Sequence, residues 1–108
     1  MDPLNINVEY FVKLFLIVDD INYQDPYIAE LAKREANGIC QLCGNEAPFV
    51  TVDGKPYLES HHIVWLSGGG ADTIENTVAV CPNCHRKLHY LNSEEDVEFL
   101  KSLKQGNT

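Results

Sequence analysis

Cationic side chains are scarce in this sequence. Its 108 residues include eight Lys and Arg against 16 Asp and Glu, a formal net charge of −8. Nucleic-acid binders draw most of their non-specific affinity from Lys and Arg on phosphates, so a tight, purely electrostatic DNA holder is excluded. Long apolar runs are missing too. The longest, Val8 to Val18, is interrupted by Glu9 and Lys13 and falls short of the roughly 20 residues of a membrane helix. It also lacks the basic flank and small-residue cleavage site of a secretory signal. These absences point to a soluble, cytoplasmic protein with no membrane partner. Low-complexity sequence is confined to the glycine triplet Gly68-Gly69-Gly70, and no internal repeat is present. At 44% hydrophobic and 22% charged residues the chain is globular rather than disordered.

The acid is unevenly spread. Residues 1–30 hold six acidic residues and one basic, residues 31–108 ten and seven. This divides the chain into an acidic N-terminal extension, residues 1–30, packed on or flanking a module over 31–108. Val8 to Val18 fits a buried helix or a strand, and periodicity does not decide between them. It serves as core packing against the module, or as a dimer contact or docking surface for a protein partner. No dimerisation motif is legible, so a monomer or weak dimer is expected.

Four cysteines are present, as Cys40-x2-Cys43 and Cys81-x2-Cys84. Each spacing presents two thiolates to one ion, and four thiolates close a tetrahedral Zn²⁺ shell of the structural kind. Gly44 after the first pair and Pro82-Asn83 inside the second suit tight knuckle turns. A redox pair or two disulfides are the alternatives, disfavoured where thiols stay reduced. Zinc would close the long span between the pairs and couple metal binding to folding.

The elements around these knuckles can be read from local signals. Asp25-Pro26 starts a helix, with Asp as N-cap and Pro at the first helical position. Ile28, Leu31, Ala32 and Glu35 continue it at helical spacing, and Asn37-Gly38 ends it. Ala47 to Val52 reads as a strand, Asp53-Gly54 as a two-residue hairpin turn, and Lys55 to Ile63 as the returning strand. A glycine-rich loop comes next, then a short turn or helix at Asp72 to Asn76. Cys84 to about Leu91 reads as a helix. Ser93 caps a last helix through about Leu103, with Val97, Leu100 and Leu103 as its apolar stripe.

The four histidines, His61, His62, His85 and His89, are the informative residues. His85 and His89 are i and i+4 on a helix, so their imidazoles share one face. His61 and His62 are neighbours on a strand and point to opposite sides. One can bind an ion held by the helix; the other faces elsewhere, unless the strand bends. The result is a ββ-loop-α unit with a second, histidine-rich metal site between strand and helix. The alternative, in which His85 or His89 replaces a cysteine in a single zinc shell, leaves one thiolate over.

The string Cys-Gln-Leu-Cys, Leu-Glu-Ser-His-His-Ile-Val, Gly-Gly-Gly-Ala-Asp-Thr-Ile-Glu-Asn and Cys-Pro-Asn-Cys-His-Arg-Lys-Leu-His, from Cys40 to His89, resembles the HNH endonucleases. The likeness is greatest to four-cysteine members of restriction and phage type, and it spans about residues 36–91. It implies an α+β fold, a small zinc-stapled ββα-metal domain, treble-clef-like, with flanking helices. It implies His62 as general base, His85, His61 and His89 as ligands of the catalytic ion, and Asn76 as orienting His62 or approaching the metal. Trp65 departs from the family, many members of which carry proline there.

The resemblance therefore implies a metal-dependent DNA endonuclease. One such site cuts one strand, so a monomer is expected to nick, and the scarcity of cations points to weak, salt-sensitive DNA binding with low sequence specificity. The alternative is a non-catalytic zinc module that binds nucleic acid or protein. Histidine-rich ligation suits Mn²⁺, Ni²⁺, Co²⁺ or Zn²⁺, while Mg²⁺ prefers oxygen donors, so Mn²⁺ is expected to work at least as well as Mg²⁺. Arg86, beside His85, is the candidate phosphate contact.

Overall fold

The computed structural model describes residues 24–105. Most of the acidic extension, Val8 to Val18 included, lies outside them. In chain order the elements are helix α1 (Pro26–Ala36), strand β1 (Glu59–His62), 3₁₀ turns at Leu66–Gly68 and Ile74–Asn76, strand β2 (Thr77–Val80), and helices α2 (Pro82–Tyr90) and α3 (Glu94–Gln105).

Local chemistry explains where the helices start and stop. The Asp25 carboxylate accepts the Tyr27 N–H at 2.9 Å, satisfying one of the free donors of the first turn. Asn37, left-handed at φ 52°, closes α1 by donating its N–H to the Lys33 and Arg34 carbonyls. Helix α2 begins at Pro82, two residues ahead of the expected Cys84, because proline at the first position gives up no hydrogen bond. Ser93 Oγ accepts the Asp96 N–H at 3.2 Å at the start of α3. Glu94, Glu95 and Asp96 place negative charge against that helix's positive end.

The strand pairing differs from the sequence expectation. β1 and β2 are antiparallel, with Glu59 opposite Val80 and His62 opposite Thr77. The partner of the histidine strand is therefore Thr77–Val80, not residues 47–52. The expected strand over Ala47 to Val52 does not form, and the returning strand shrinks from Lys55–Ile63 to Glu59–His62. A turn forms there, but not the expected two-residue one: Gly54, at φ 84°, donates its N–H to the Thr51 carbonyl at 2.8 Å, and the Thr51 N–H donates to the Lys55 carbonyl at 2.8 Å, so residues 52–54 make the loop. Beyond it only one isolated bridge forms, Val50 to Pro56. Pro48 and Pro56 supply no ladder donors. Phe49, Val50 and Val52 are exposed, so no second layer rewards an extended ribbon.

The core gathers where α1, the sheet and the last two helices meet. Ala36, Cys40, Leu58, Ile63, Val78, Ala79, Val80, Cys84, Leu88 and Leu100 are buried together, with Val97 and Leu103 packed against them. Buried Ala32 and Ala36 let the α1 backbone lie close to β2, which is buried at every residue. The first cysteine knuckle docks on that strand. Gln41 N–H donates to the Ala79 carbonyl at 3.0 Å, and the Ala79 N–H donates to Gln41 Oε1 at 2.9 Å. The knuckle thus adds one backbone bond and one side-chain bond to the edge of β2. Among the described residues no helix is long and apolar enough to cross a membrane.

Candidate active site

Two donor clusters flank the start of α2. In the first, one sulfur each from Cys40, Cys43, Cys81 and Cys84 lies within 4.8 Å of the others, close enough to share an ion. Tight turns bring them there: Gly44, at φ 81°, donates its N–H to the Cys40 carbonyl at 2.9 Å. Burial alone would raise the Cys40 thiol. Bonds from the backbone of Cys43, Cys81 and Leu42 outweigh it and bring the thiol down to about 7. Burial, then its bonds to the neighbouring thiols of Cys81 and Cys40, pushes Cys84 up instead. Four deprotonated sulfurs at this separation require a cation, and an all-thiolate shell is the donor set of structural Zn²⁺.

The second cluster joins His61 of β1 to His85 and His89 of α2, with one ring nitrogen from each within 4.8 Å of the others. Three details fit these residues to a metal. His61 Nε2 is buried without a hydrogen-bond partner, an arrangement that costs free energy unless something binds it. The Nε2 atoms of His85 and His89 face one another at 3.1 Å. His85 Nδ1 lies 2.8 Å from Glu59 Oε1, so the carboxylate takes the Nδ1 hydrogen and leaves Nε2 to bind a cation. Tyr57 Oη in turn donates to Glu59 Oε2 at 2.7 Å. That bond, with the pull of His85, holds the Glu59 carboxyl below the usual range.

Burial, then the charges of His85, His89 and His62, holds His61 down at about 4. The ring is therefore neutral and available as a ligand at neutral pH. Above pH 6.5 the ring is neutral whether the chain is folded or not. Between pH 6.5 and 4 the unfolded chain takes up a proton that the folded chain refuses, so folding weakens as the pH falls. The loss is about 2 kcal/mol between pH 7 and pH 5. Denaturant melts of zinc-loaded protein should show it, and a His61→Asn variant should lack it. Ring ¹⁵N shifts should report His61 still neutral at pH 5.

His62 faces away from this trio. Its Nε2 lies 2.8 Å from Asp72 Oδ1, and the two side chains are 12% and 20% exposed. The opposite facing of His61 and His62 obeys the strand alternation. Yet His61, His62, Trp65, His85 and His89 line one cavity of about 280 Å³. A neighbouring cavity of about 430 Å³ adjoins along His85 and His89 and is lined also by Glu59, Arg86 and Tyr90. Arg86 is exposed and makes no ion pair among the described residues, whereas the next residue, Lys87, is 3.3 Å from Asp96.

Asn76 ties the loop between the strands. Its Oδ1 accepts the Val64 N–H at 2.9 Å, and its Nδ2 donates to the carbonyls of Val64, at 2.9 Å, and Ala71, at 2.8 Å. Of the two arrangements expected for Asn76, the loop-binding one is present. Gly70 passes so close to this crossing that an added Cβ would lie 1.9 Å from the Val64 oxygen, whereas Gly68 and Gly69 face open space.

Sequence reasoning singled out neither Glu59 nor Asp72. Glu59 had a signal, since it precedes His61 by two and so shares its face of the strand. Asp72 had none, because it reaches His62 only through the path of the loop.

The family profile described as HNH endonuclease matches residues 40–91. A curated relative from Escherichia coli (strain K12), the type IV methyl-directed restriction enzyme EcoKMcrA, is 53% identical over 78 residues, which is 71% of this chain and 28% of that protein. Anaredoxin of Nostoc sp. (strain PCC 7120 / SAG 25.82 / UTEX 2576) is 29% identical over 68 residues, 59% of this chain and 79% of its own length. Among solved structures, the type IV phosphorothioation-dependent restriction endonuclease ScoMcrA superposes with a TM-score of 0.64 at 28% identity, over 75% of this chain and 17% of that one. The chain thus spans less than a third of either restriction enzyme.

Proposed function

From the match of residues 40–91 to the HNH endonuclease profile, we propose that this chain is an HNH-type, metal-dependent DNA endonuclease. It hydrolyses phosphodiester bonds, nicks one strand when monomeric and reads little sequence. One observation carries the reading: three converging imidazoles, one of them buried with an unpartnered nitrogen, share a cavity with a fourth imidazole held by a carboxylate. A non-catalytic zinc module has no use for that set. The similar restriction enzymes are named for methyl-directed and phosphorothioation-dependent activities; what applies to this chain is the cutting chemistry.

In this reading His62 takes a proton from water, as a neutral imidazole does near pH 7. The water oxygen bonds to phosphorus as the bond to the 3′ oxygen breaks. His61, His85 and His89 would hold a divalent ion, which would supply positive charge to offset the negative charge that develops as the phosphodiester is cut. Arg86 stands beside His85 to contact a phosphate oxygen. Asn76 fixes the loop that borders His62. Cys40, Cys43, Cys81 and Cys84 would hold a structural zinc ion, and the second pair seats the first turn of α2, and with it His85 and His89.

Supercoiled plasmid tests this directly. Zinc-loaded protein with Mn²⁺ should convert it first to open circles, at a rate that falls with added salt, because the few Lys and Arg contacts that hold the DNA are electrostatic. Mn²⁺, Co²⁺ or Ni²⁺ should support cutting at least as well as Mg²⁺. No cutting with any of these ions overturns the nuclease reading, and immediate linear product overturns nicking.

A further inference from the structure

His62 alone is an incomplete base, because an imidazole must present the correct nitrogen and then carry a positive charge. The loop between the strands supplies a partner for both. Asp72 Oδ1 sits 2.8 Å from His62 Nε2, while Oδ2 accepts the backbone N–H of Asp25, the residue that caps α1. The backbone on either side of Asp72 is also held. Asn76 Nδ2 donates to the Ala71 carbonyl at 2.8 Å. The Thr73 carbonyl accepts Thr77 Oγ1 at 2.6 Å and the Asn76 N–H at 3.0 Å. The carboxylate is therefore fixed by α1 on one side and by the Asn76 crossing on the other.

From this arrangement we infer that Asp72 is a positioning residue for the cleavage reaction, acting through His62; the inference rests on His62 being the base. By accepting the Nε2 hydrogen, Asp72 keeps the other ring nitrogen, Nδ1, free to take the proton of water. It also faces the imidazolium that this transfer creates with a negative charge. Asn76 acts one step further back, by holding the Ala71 carbonyl and so the carboxylate.

The experiment compares single-turnover cleavage by zinc-loaded parent, Asp72→Asn, His62→Ala and the double variant, with Mn²⁺ saturating. Asp72→Asn keeps the size and an acceptor for the Asp25 N–H but loses the charge and the fixed choice of ring nitrogen. Its rate should fall roughly 10²-fold, with KM and the Mn²⁺ binding isotherm within threefold of the parent. Ring ¹⁵N shifts should show His62 protonated at Nε2 in the parent and mixed in the variant. The double variant should be no slower than His62→Ala, because Asp72 has nothing to act on once the ring is gone. Asp72→Asn within threefold of parent, or Asp72→Asn slowing His62→Ala further, overturns the role of Asp72. Full activity in His62→Ala fails the underlying reading instead, so the two failures are distinct.

Discussion

His62→Ala is expected to lose strand cleavage by roughly 10²–10⁴-fold, the range that a positioned general base contributes. The loss should fall on the rate at saturating DNA and metal, not on folding. His62 lies at the end of β1, opposite Thr77, and its ring makes one side-chain hydrogen bond, to Asp72. It is absent from the buried core. Truncation therefore leaves an opening at a cavity wall rather than a hole in packed interior, and a melt should show a shift of only a few degrees. The Mn²⁺ isotherm should change little, since His61, His85 and His89 remain. Plasmid nicking timed over several decades, with Mn²⁺ binding measured on the same preparation, reads both quantities. Unchanged nicking would remove His62 as the base. Lost Mn²⁺ binding would move it into the metal site.

The second large effect concerns the other cluster. Cys84→Ser should abolish cooperative folding, not merely lower activity. Structural zinc contributes on the order of 10 kcal/mol to small metal domains, as much as the whole stability of a typical domain. Cys40 and Cys84 are buried members of the core itself, so an empty thiol site is also a packing fault. The damage should spread to the histidine site without touching a histidine. Cys81 caps α2 and accepts the His85 N–H at 2.9 Å through its carbonyl, so a displaced knuckle carries His85 and His89 away from His61. Zinc content, a thermal melt and the Mn²⁺ isotherm on one sample should therefore fall together. A sharp melt near the parent temperature in zinc-free Cys84→Ser protein would show that the thiols are not the staple.

The contrast between these clusters explains what could be read without coordinates. Two-residue spacing in each cysteine pair and four-residue spacing in His85 and His89 are local geometry, fixed by a turn or a helix whatever the rest of the chain does. Opposite facing of His61 and His62 is likewise local. The strand partner was not local. Val50, Thr51 and Val52 before Asp53-Gly54 look like half of a hairpin, and a turn does form, though over residues 51–54. Burial settles the matter, and it favours Thr77–Val80, which the core covers on every residue, over a tip that nothing covers. Asp72 was illegible for the same reason, since its meeting with His62 depends on how residues 63–76 are folded back by Asn76. The segment ahead of residue 24, where a docking or dimer role was expected, lies outside the described residues.

The glycine triplet carries one last implication. It reads as a flexible spacer, three interchangeable small residues in a row. The fold treats them unequally: position 70 is a keystone wedged under the Val64 carbonyl, while positions 68 and 69 are open to water. If all three codons were randomised and survivors sorted for cutting, position 70 should come back as glycine every time. Position 68 should drift freely, and position 69, at φ 96°, should settle on glycine or asparagine. Tolerance to change in this loop is thus set one residue at a time, by what each alpha carbon is pressed against.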